Sequence, residues 1–310
     1  IAVIGDAMLD VYLTGDVDRI SPEAPVPVVR VRERKYALGG AANVAQNVVA
    51  VGAACDLVAA IGDDAGGRTL TEMLRAIGEE GQSLVTVDRP TTQKTRIVAR
   101  SQQLVRVDEE DDADLGDAEL ERVLEAVRVA VAAADAVVLE DYNKGVLVPR
   151  VIRAAIDLAV ARKIPVVVDP KFRNFFEYGG ATVFKPNRRE LEAALGASVD
   201  VDHPDAVPAT LRRLGVEHIL LTLGDRGMAL FSARGEIARV PTVAREVYDV
   251  VGAGDTVTAY LASIMAAGGS PSEAAEVANV AAGIEVGKLG AATVTAREVT
   301  EYMDANALQG

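Results

Sequence analysis

Tryptophan is absent from this chain of 310 residues, and aromatic residues as a whole make up only 4% of it. Half of the residues are nevertheless hydrophobic, which is ample for a packed core. Interiors built mainly from alanine and valine are typical of buried parallel strands and close-packed helices. The length predicts one large α/β domain or two small ones.

Cysteine and histidine are nearly missing. Cys55 is the only cysteine, so no internal disulfide can form, and its Val/Ala surroundings predict a buried, inert thiol in a reducing compartment. The two histidines, His203 and His218, fit no zinc motif and have no serine or cysteine partner in a recognisable nucleophilic motif. These counts predict a cytoplasmic protein and disfavour a zinc enzyme.

Positive charge is in deficit, with a net charge of −14 and a pI of about 4.7. This balance argues against nucleic acid or an anionic membrane as the main partner, so any anion site must be a local basic patch. No apolar run is long enough to cross a bilayer. We expect no signal peptide, because Ile1 already begins a strand, and an opening without Met suggests that a few residues precede the numbering.

Short apolar strands alternate with polar loops and helices along most of the chain. We predict such strands at 1–5, 55–61, 136–139, 165–168, 182–184 and 218–222. The alternation predicts a parallel sheet with helices on both faces, and no linker divides the chain. Ligands bind beyond the carboxyl ends of such strands, so the polar residues that follow them can converge on one rim.

Two segments do not resemble core. Prolines exclude a helix from residues 12–36 and confine this segment to edge or irregular strands, while residues 91–107 alternate in the manner of a strand. In the second segment Lys94, Arg96 and Arg100 fall at i, i+2 and i+6, on one face of a strand. A solvated edge strand explains this pattern, and so does a site for an anionic ligand.

A glycine pair at Gly39 and Gly40 opens a predicted helix that runs to about residue 51. A glycine-rich turn before a helix is a common structural feature. The functional alternative is close approach of the backbone to a sugar, with Asn43 bonding its hydroxyls.

The stretch 249–256 is the main candidate for chemistry. Gly252, Ala253 and Gly254 precede Asp255 at the start of a predicted helix over 256–267. Small residues let the backbone approach a ligand, and the N–H groups at a helix start bind anions, most often phosphate. Asp255 is either a helix cap or a general base beside a bound phosphoryl group. The stretch alone leaves both readings open.

Three motifs resemble, in order, those of the ribokinase-like (PfkB) family of sugar kinases. They are the glycine-rich run 39–43, an Asn-x-x-Glu motif at Asn187 and Glu190, and the run 252–255. No P-loop and no complete G-x-G-x-x-G is present, which disfavours two commoner nucleotide-binding folds. The resemblance implies a three-layer α/β fold in which helices flank a mostly parallel sheet. It also implies one kinase domain over residues 1–310, with a small β lid of two strands within about 12–36 and 91–107.

The same resemblance implies roles for individual residues. Phosphoryl transfer from MgATP to a sugar hydroxyl would use Asp255 as the base and Gly252, Ala253 and Gly254 as the anion hole. The residues implied to bind substrate are Asp10, Gly39, Gly40, Asn43, Lys94, Arg96, Asp141 and Lys171. The residues implied to bind nucleotide are Asn187, Thr222, Gly224, Gly227, Asn279 and Gly283. Asn187 and Glu190 would hold Mg²⁺ through water, and a monovalent cation is a further possible cofactor.

Four stretches resemble most closely the branch of this family that phosphorylates D-glycero-β-D-manno-heptose 7-phosphate. They are residues 5–12, 19–28, 141–145 and 169–171, of which the proline-rich 19–28 is the most specific. The resemblance implies transfer to the anomeric (C1) hydroxyl, giving the 1,7-bisphosphate in ADP-heptose and lipopolysaccharide core synthesis. Two features depart from that branch. Residues 172–176 are bulkier than expected, and no His-x-Gly-His nucleotidyltransferase motif is present, so we expect a stand-alone kinase or a partner domain outside this chain.

Two alternatives remain at this point. One is a kinase for ribose, a fructose phosphate or a nucleoside, and the other is a sugar sensor without activity. The intact Asp255 motif favours a kinase, since a sensor needs no base beside an anion hole. We also expect a homodimer that pairs lid on lid, because a small sheet with open edges is marginal alone. We expect a 7-phosphate to be bound by Lys171 together with Lys94 or Arg96, and Arg19 is a further candidate.

Overall fold

The computed structural model describes residues 1–100, 102–200, 207–244, 250–288 and 292–307. Its main sheet has nine strands in the order β13-β12-β11-β10-β9-β8-β1-β4-β5. The strands are β1 (Ala2–Gly5), β4 (Asp56–Gly62), β5 (Leu84–Val87), β8 (Val137–Glu140), β9 (Val166–Asp169), β10 (Val183–Phe184), β11 (His218–Thr222), β12 (Met228–Ser232) and β13 (Gly235–Val240). All neighbours pair in parallel except at one edge, where β12 is antiparallel to both β11 and β13. The predicted mostly parallel sheet is confirmed.

Helices cover both faces of this sheet. They are α1 (Ala41–Val51), α2 (Ala65–Ala76), α3 (Asp117–Ala133), α4 (Pro149–Arg162), α5 (Arg188–Leu195), α6 (Val207–Leu214), α7 (Ala253–Ala266), α8 (Pro271–Glu285) and α9 (Ala296–Ala307). Two clusters of buried apolar residues lie on opposite sides of the sheet, one under α3 and α4 and the other under α1, α7 and α8. This arrangement follows from the apolar strands, which must be buried on both faces. No helix in the described parts of the chain has the length and apolar character needed to cross a membrane.

A second sheet of four strands stands beside the first, in the order β3-β2-β6-β7. Its strands are β2 (Ala7–Ile20), β3 (Pro27–Gly40), β6 (Gln93–Ala99) and β7 (Gln102–Glu109). It includes the segments predicted to project from the body, but it has four strands rather than the two predicted, because each segment pairs as a hairpin. We call this sheet the lid.

The register of the lid separates a polar face from an apolar face. Asp10 lies opposite Lys94, and Tyr12 lies opposite Arg96, so these four side chains share one face. The other face carries Leu13 opposite Ile97, which in turn lies opposite Val105. Several large apolar residues of the lid are exposed: Ile20, Val26, Val31, Tyr36, Leu104, Val105 and Val107.

Two predictions about single residues are wrong. Arg100 does not share a strand face with Lys94 and Arg96, because β6 ends at Ala99 and Arg100 forms the turn with a φ of 51°. Cys55 is half-buried rather than buried, although burial, assisted by Glu79, still raises the pKa of its thiol. The histidine His203 and the stretch 245–249, which includes the start of the Asp255 motif, lie outside the described residues.

Candidate active site

Asp255 lies in the first turn of α7, beside the carboxyl ends of the central strands. Gly252 precedes the helix with a φ of 97°, a left-handed conformation that favours glycine. The Asp255 side chain is buried, and its Oδ2 accepts a hydrogen bond of 2.7 Å from Nδ2 of Asn43. Its Oδ1 accepts a longer one of 3.3 Å from the hydroxyl of Tyr142. Asp255 is therefore held by side chains from distant parts of the chain, which a simple helix cap does not need.

Burial raises the pKa of Asp255 to about 6. The hydrogen bond from Asn43 lowers the pKa, the nearby Asp169 carboxylate raises it, and the Lys185 ammonium lowers it again. A carboxylate with this pKa is ionised at neutral pH and is a stronger base than an exposed aspartate. The environment thus suits proton abstraction from a substrate hydroxyl.

The proposed anion hole lies directly before Asp255. A Cβ built on Gly254 would lie 3.6 Å from Nζ of Lys185 and 3.9 Å from Oδ2 of Asp169. The glycine therefore leaves backbone open toward a buried ammonium group. At the same turn, the Ala253 amide makes only a long hydrogen bond of 3.5 Å to the carbonyl oxygen of Val250. Amides at a helix start together with a lysine can stabilise negative charge on a phosphoryl group.

A buried acidic cluster adjoins Asp255. Carboxylate oxygens of Glu140, Asp169 and Asp255 lie within 4.8 Å of one another, and Nζ of Lys185 lies 2.7 Å from Oδ2 of Asp169. Neither side-chain oxygen of the fully buried Glu140 has a hydrogen-bond partner among the described residues. Burial, then Asp169 and Asp255, raise the pKa of Glu140 well above its usual range. Three acids and one lysine at these distances favour proton sharing or a bound cation.

Sequence reasoning missed Glu140, Asp169 and Lys185 as candidates. Each lies at or directly after the end of a strand: β8, β9 and β10. The rule that ligands bind at carboxyl ends of parallel strands was the signal that could have found them. The sequence analysis selected Asp141 and Lys171 instead, which lie one residue after Glu140 and two residues after Asp169.

Lys171 lies between the acidic cluster and α5. Its Nζ is 2.7 Å from Oε1 of Glu190 and 5.0 Å from the centre of the Tyr142 ring. Burial lowers the pKa of Lys171, but Asp169 and Glu190 outweigh this and raise it. Glu190 and Asn187 form the capping box of α5, with Oδ1 of Asn187 accepting from the Glu190 amide at 2.9 Å. The Asn-x-x-Glu motif is therefore both a helix start and a neighbour of the proposed transfer site.

The polar face of the lid carries four further candidates. The guanidinium of Arg96 donates to Oδ1 of the buried Asp10 at 2.5 Å and lies over the Tyr12 ring. Nζ of Lys94 lies 5.6 Å from the centre of the Tyr142 ring. A Cβ on Gly39 would come within 2.8 Å of Oδ2 of Asp10. The sequence candidates Asp10, Gly39, Lys94 and Arg96 thus lie together on the lid, and Lys94 contacts Tyr142, whose hydroxyl bonds Asp255.

Gly40 joins the lid to α1 with a φ of 56°, and a Cβ there would strike the carbonyl oxygen of Asp6.

The sequence also predicts that Asp141 binds substrate, yet both its side-chain oxygens accept hydrogen bonds from the chain. Its Oδ1 accepts from the amide of Asn143 and its Oδ2 from the hydroxyl of Tyr178, each at 2.7 Å. These contacts shape the loop after β8, and a direct role of Asp141 in substrate binding stays a prediction.

The remaining candidates lie around the β11 end of the sheet. Thr222 forms a parallel bridge with Asn187. Gly224 and Gly227 shape the following turn with φ of 63° and 82°, and a Cβ on Gly227 would strike the carbonyl oxygen of Val240. On α8, Nδ2 of Asn279 donates to the carbonyl of Pro241 at 2.8 Å. One turn later on the same helix, a Cβ on Gly283 would strike the side chain of Val243. These contacts position the glycine turn and α8 beside the edge hairpin.

Comparison with known proteins gives consistent matches. A family model described as pfkB family carbohydrate kinase matches residues 1–297. The bifunctional protein HldE of Pelobacter propionicus is 47% identical over 304 residues, covering 96% of this chain and 62% of the relative. The bifunctional protein HldE of Caulobacter sp. is 48% identical over 306 residues, again covering 96% and 62%. This chain therefore spans less than two thirds of the length of these curated relatives.

Solved structures match the fold over its whole extent. The tetrameric inhibited form of phosphofructokinase-2 from Escherichia coli superposes with a TM-score of 0.79 at 17% identity, covering 97% of this chain and 96% of that one. Ribokinase from Arabidopsis thaliana, complexed with ribose and ATP, gives a TM-score of 0.74 at 22% identity and covers 97% of both chains. The three-layer fold expected from the sequence is confirmed by these matches.

Proposed function

Because this chain belongs to the pfkB family of carbohydrate kinases, and so is a phosphotransferase with an alcohol acceptor and ATP as donor, we propose that Asp255 is its catalytic base. The observation that carries this proposal is the position of Asp255. It is a buried carboxylate with a raised pKa, at a helix start that faces a lysine. Asp255 accepts the proton of the sugar hydroxyl as that oxygen attacks the terminal phosphoryl group.

The charge that develops on the transferred phosphoryl needs donors on its other side. The amides of Gly252, Ala253 and Gly254 supply these donors at the start of α7, and Lys185 adds a fixed positive charge beside Gly254. Lys185 is itself anchored by Asp169, so its ammonium is oriented before substrate binds. This pre-orientation is what makes such groups effective in a site shielded from water.

We propose D-glycero-β-D-manno-heptose 7-phosphate as the sugar and its anomeric hydroxyl as the acceptor, giving the 1,7-bisphosphate. Support comes from the resemblance of residues 5–12, 19–28, 141–145 and 169–171 to that branch of the family, and from the identity to HldE proteins. Asp10, Gly39, Gly40 and Asn43 line the sugar, and Lys94, Arg96 and Lys171 contribute positive charge. Asp10 already pairs with Arg96, so these two side chains act together in hydrogen bonding to the sugar hydroxyls. A place in ADP-heptose synthesis follows if this substrate is correct.

The nucleotide and metal belong to the side of the site opposite the lid. We propose that Thr222, Gly224, Gly227, Asn279 and Gly283 border the nucleotide. Mg²⁺ fits the oxygen donors nearby, but the capping box and Lys171 already engage Asn187 and Glu190. Their contact with a metal would therefore run through water, as suits a hard, strongly hydrated ion. When bound, Mg²⁺ neutralises phosphate charge, and a monovalent cation remains a further possibility for the same region.

A homodimer that pairs the two lids is also proposed. The lid exposes valines, a leucine and a tyrosine on strands that have open edges, including Val105 at 47% and Val107 at 46%. A four-stranded sheet with such a face gains stability by burying it. A second copy of the chain offers the same face in a self-complementary arrangement.

Product identification tests the proposed reaction. Purified protein with MgATP should convert heptose 7-phosphate to the 1,7-bisphosphate, identified by ³¹P NMR and mass spectrometry. Ribose, fructose 6-phosphate, a nucleoside and the heptose without phosphate serve as competing acceptors under the same conditions. A higher kcat/KM for one of these acceptors would overturn the heptose assignment and leave the family assignment standing.

A further inference from the structure

Lys144 forms an ion pair that differs from the other charged contacts around the site. Its Nζ lies 2.7 Å from Oε1 of Glu110, and the side chains are only 15% and 27% exposed. The cations Arg96, Lys171 and Lys185 pair with carboxylates that belong to the site itself. Glu110 instead comes from the acidic loop of residues 110–114, which directly follows the last lid strand, β7. A loop carboxylate thus reaches inward to a lysine at the edge of the sugar space.

Lys94 faces the same carboxylate. Asp10 and Asp108 lie opposite Lys94 in the register of the lid, and Nζ of Lys94 lies over the Tyr142 ring. Burial lowers the pKa of Lys94. Glu110 raises it, Lys144 lowers it, and Asp10 and Asp108 raise it. Glu110 pairs directly with Lys144 alone, while Lys94 has Asp10 and Asp108 opposite it in the neighbouring strands and forms no ion pair within 4.0 Å among the described residues. A phosphate dianion would match both charges, whereas a single carboxylate matches one.

Tyr142 connects this lysine pair to the reacting end of the site. Its hydroxyl lies 3.3 Å from Oδ1 of Asp255, and its ring contacts Lys94. A sugar lying along Tyr142 has one end at the base and the other toward the lysines. This order of base, Tyr142 ring and lysine suits a substrate that carries its acceptor hydroxyl and its phosphate at opposite ends.

The backbone that carries Lys144 is rigid. The buried Asp6 accepts hydrogen bonds from the amides of Tyr142, Lys144 and Val146 at 2.8, 2.9 and 3.2 Å. The acidic loop packs directly on this backbone, since a Cβ on Gly145 would strike the carbonyl oxygen of Ala113. The backbone position of Lys144 therefore does not depend on its ion pair with Glu110.

The acidic loop has other attachments, so Glu110 can leave without detaching it. Arg89 donates to the carbonyl of Ala113 at 2.8 Å, and Arg173 donates to the carbonyl of Asp112 at 2.8 Å. Only the Glu110 side chain has to rotate for an anion to reach Lys144. The ion pair is then an exchangeable contact rather than the main anchor of the loop.

We propose that Lys94 and Lys144 bind the distal phosphate of the sugar substrate and that Glu110 holds this place until the phosphate displaces it. The inference rests on the proposed function in requiring a phosphorylated sugar, and it adds Lys144 and Glu110 as residues that determine specificity. In this arrangement Glu110 keeps two lysines from attracting unrelated anions in the empty enzyme. It also makes every sugar without a phosphate compete poorly, since such a sugar cannot replace the carboxylate.

Steady-state kinetics with opposite substitutions test the exchange. Lys144→Met should raise KM for heptose 7-phosphate roughly tenfold to a hundredfold, the usual effect of losing a charged hydrogen bond, and leave KM for ATP unchanged. Glu110→Gln should instead lower KM for heptose 7-phosphate, because the competing anion is gone. Lys144→Arg keeps the charge and should retain most of the affinity. Glu121→Gln, which breaks the exposed pair with Arg150, is the matched control and should change neither KM.

The sign of the Glu110→Gln effect separates the proposal from a purely structural ion pair. If the pair only stabilises the loop, both Glu110→Gln and Lys144→Met raise KM and lower the unfolding temperature, and the proposal is overturned. An unchanged KM for heptose 7-phosphate in Lys144→Met overturns it as well, while the proposed function survives. If the wild-type enzyme prefers a sugar without phosphate, the proposed substrate and this inference fail together.

Ligand binding provides a readout that does not depend on turnover. Protection against thermal unfolding by heptose 7-phosphate, relative to the heptose without phosphate, should increase in Glu110→Gln and nearly vanish in Lys144→Met. Equal protection by both sugars in all variants contradicts a phosphate subsite at these lysines.

Discussion

The side-chain amide of Asn43 donates a hydrogen bond of 2.7 Å to Oδ2 of Asp255, although the two residues are 212 positions apart in the chain. Asn43 is in turn fixed by Asn47, whose Nδ2 donates to the Asn43 carbonyl at 3.0 Å. The hydroxyl of Thr256, next to Asp255, donates to Oδ1 of Asn47 at 3.3 Å. Two motifs that the sequence suggests separately, one for sugar and one for the base, are therefore parts of one hydrogen-bonded unit between α1 and α7.

Replacing Asp255 by asparagine should reduce kcat by about 10²–10⁴, because the amide cannot accept the proton of the sugar hydroxyl. The substitution keeps the shape of the side chain, so sugar and ATP should still bind in calorimetry. Asp304→Asn, an exposed change on α9, is the control. A variant that keeps more than about a tenth of wild-type kcat, which corresponds to a rise of less than about 1.4 kcal/mol in the barrier, would show that Asp255 is not the catalytic base.

The pH dependence follows from the raised pKa of Asp255, which is about 6. A base acts in its ionised form, so activity should be constant at neutral pH and fall as pH drops through about 6. Below that value kcat/KM should fall roughly tenfold per pH unit. The profile of the wild-type enzyme between pH 4.5 and 8 checks this, with protein folding followed in parallel by circular dichroism. An exposed aspartate would instead keep the rate constant down to about pH 4.

The sequence predicts the strands and the position of Asp255 well, but it does not predict the contacts between side chains in the site. Alternating apolar strands were enough to predict the sheet, because burial on both faces leaves a clear pattern. The glycine runs were enough to locate Asp255. The links between Glu140, Asp169 and Lys185 were not predictable, because each residue is a single polar position after a strand and only the strand order brings them together.

The lid shows the same limit. Its strands could be placed approximately from prolines and alternation, but the pairing of Asp10 with Arg96 depends on the parallel register of β2 and β6. The position of Arg100 shows how sensitive this is. A register shift between Ile97 and Val98 and a tight turn move that residue off the face that simple alternation gives it.

Glu190→Gln should raise the Mg²⁺ concentration needed for half-maximal rate. Glutamine can still accept from the Asn187 amide, so the capping box survives, but the negative charge near the metal and Lys171 is lost. Glu192→Gln is the matched control on the same helix, since Glu192 pairs with Arg188 and caps the Val199 amide. Titration of activity against free Mg²⁺ at saturating ATP measures the difference. Equal dependence in the two variants would move the metal role elsewhere.

Assembly through the lid is tested by introducing a charge into its apolar face. Val105→Asp should convert the dimer to a monomer at micromolar concentration in sedimentation velocity, because a buried unpaired carboxylate opposes association. Val129→Asp and Val160→Asp carry the same change at valines of α3 and α4, which are 58% and 55% exposed, and should remain dimeric. A wild-type protein that is strictly monomeric under these conditions refutes the proposed interface. Val26 and Val31 would then need burial by another route.

Lys171→Ala distinguishes two ligands for the Lys171 ammonium group, the 7-phosphate of the sugar and the phosphates of ATP. If Lys171 binds the 7-phosphate, kcat/KM for heptose 7-phosphate should fall by an amount equivalent to roughly 1.5–3 kcal/mol of transition-state binding. KM for ATP should change little. Its contact with Glu190 and its closeness to Asp169 offer an alternative, contact with the phosphates of ATP. In that case KM for ATP and the Mg²⁺ requirement should change, and the ratio of rates with phosphorylated and unphosphorylated sugar should not.

Combining Lys171→Ala with Lys144→Met in a double variant tests whether the two lysines bind the same phosphate. Lys171 lies 5.0 Å from the centre of the Tyr142 ring, and Lys94, the proposed partner of Lys144, lies 5.6 Å from it. Two lysines that bind the same phosphate should show coupled effects, so that the double variant loses less than the sum of the single losses. Additive losses would mean that Lys144 and Lys171 bind different anions, with Lys171 on the side where the phosphoryl group is transferred.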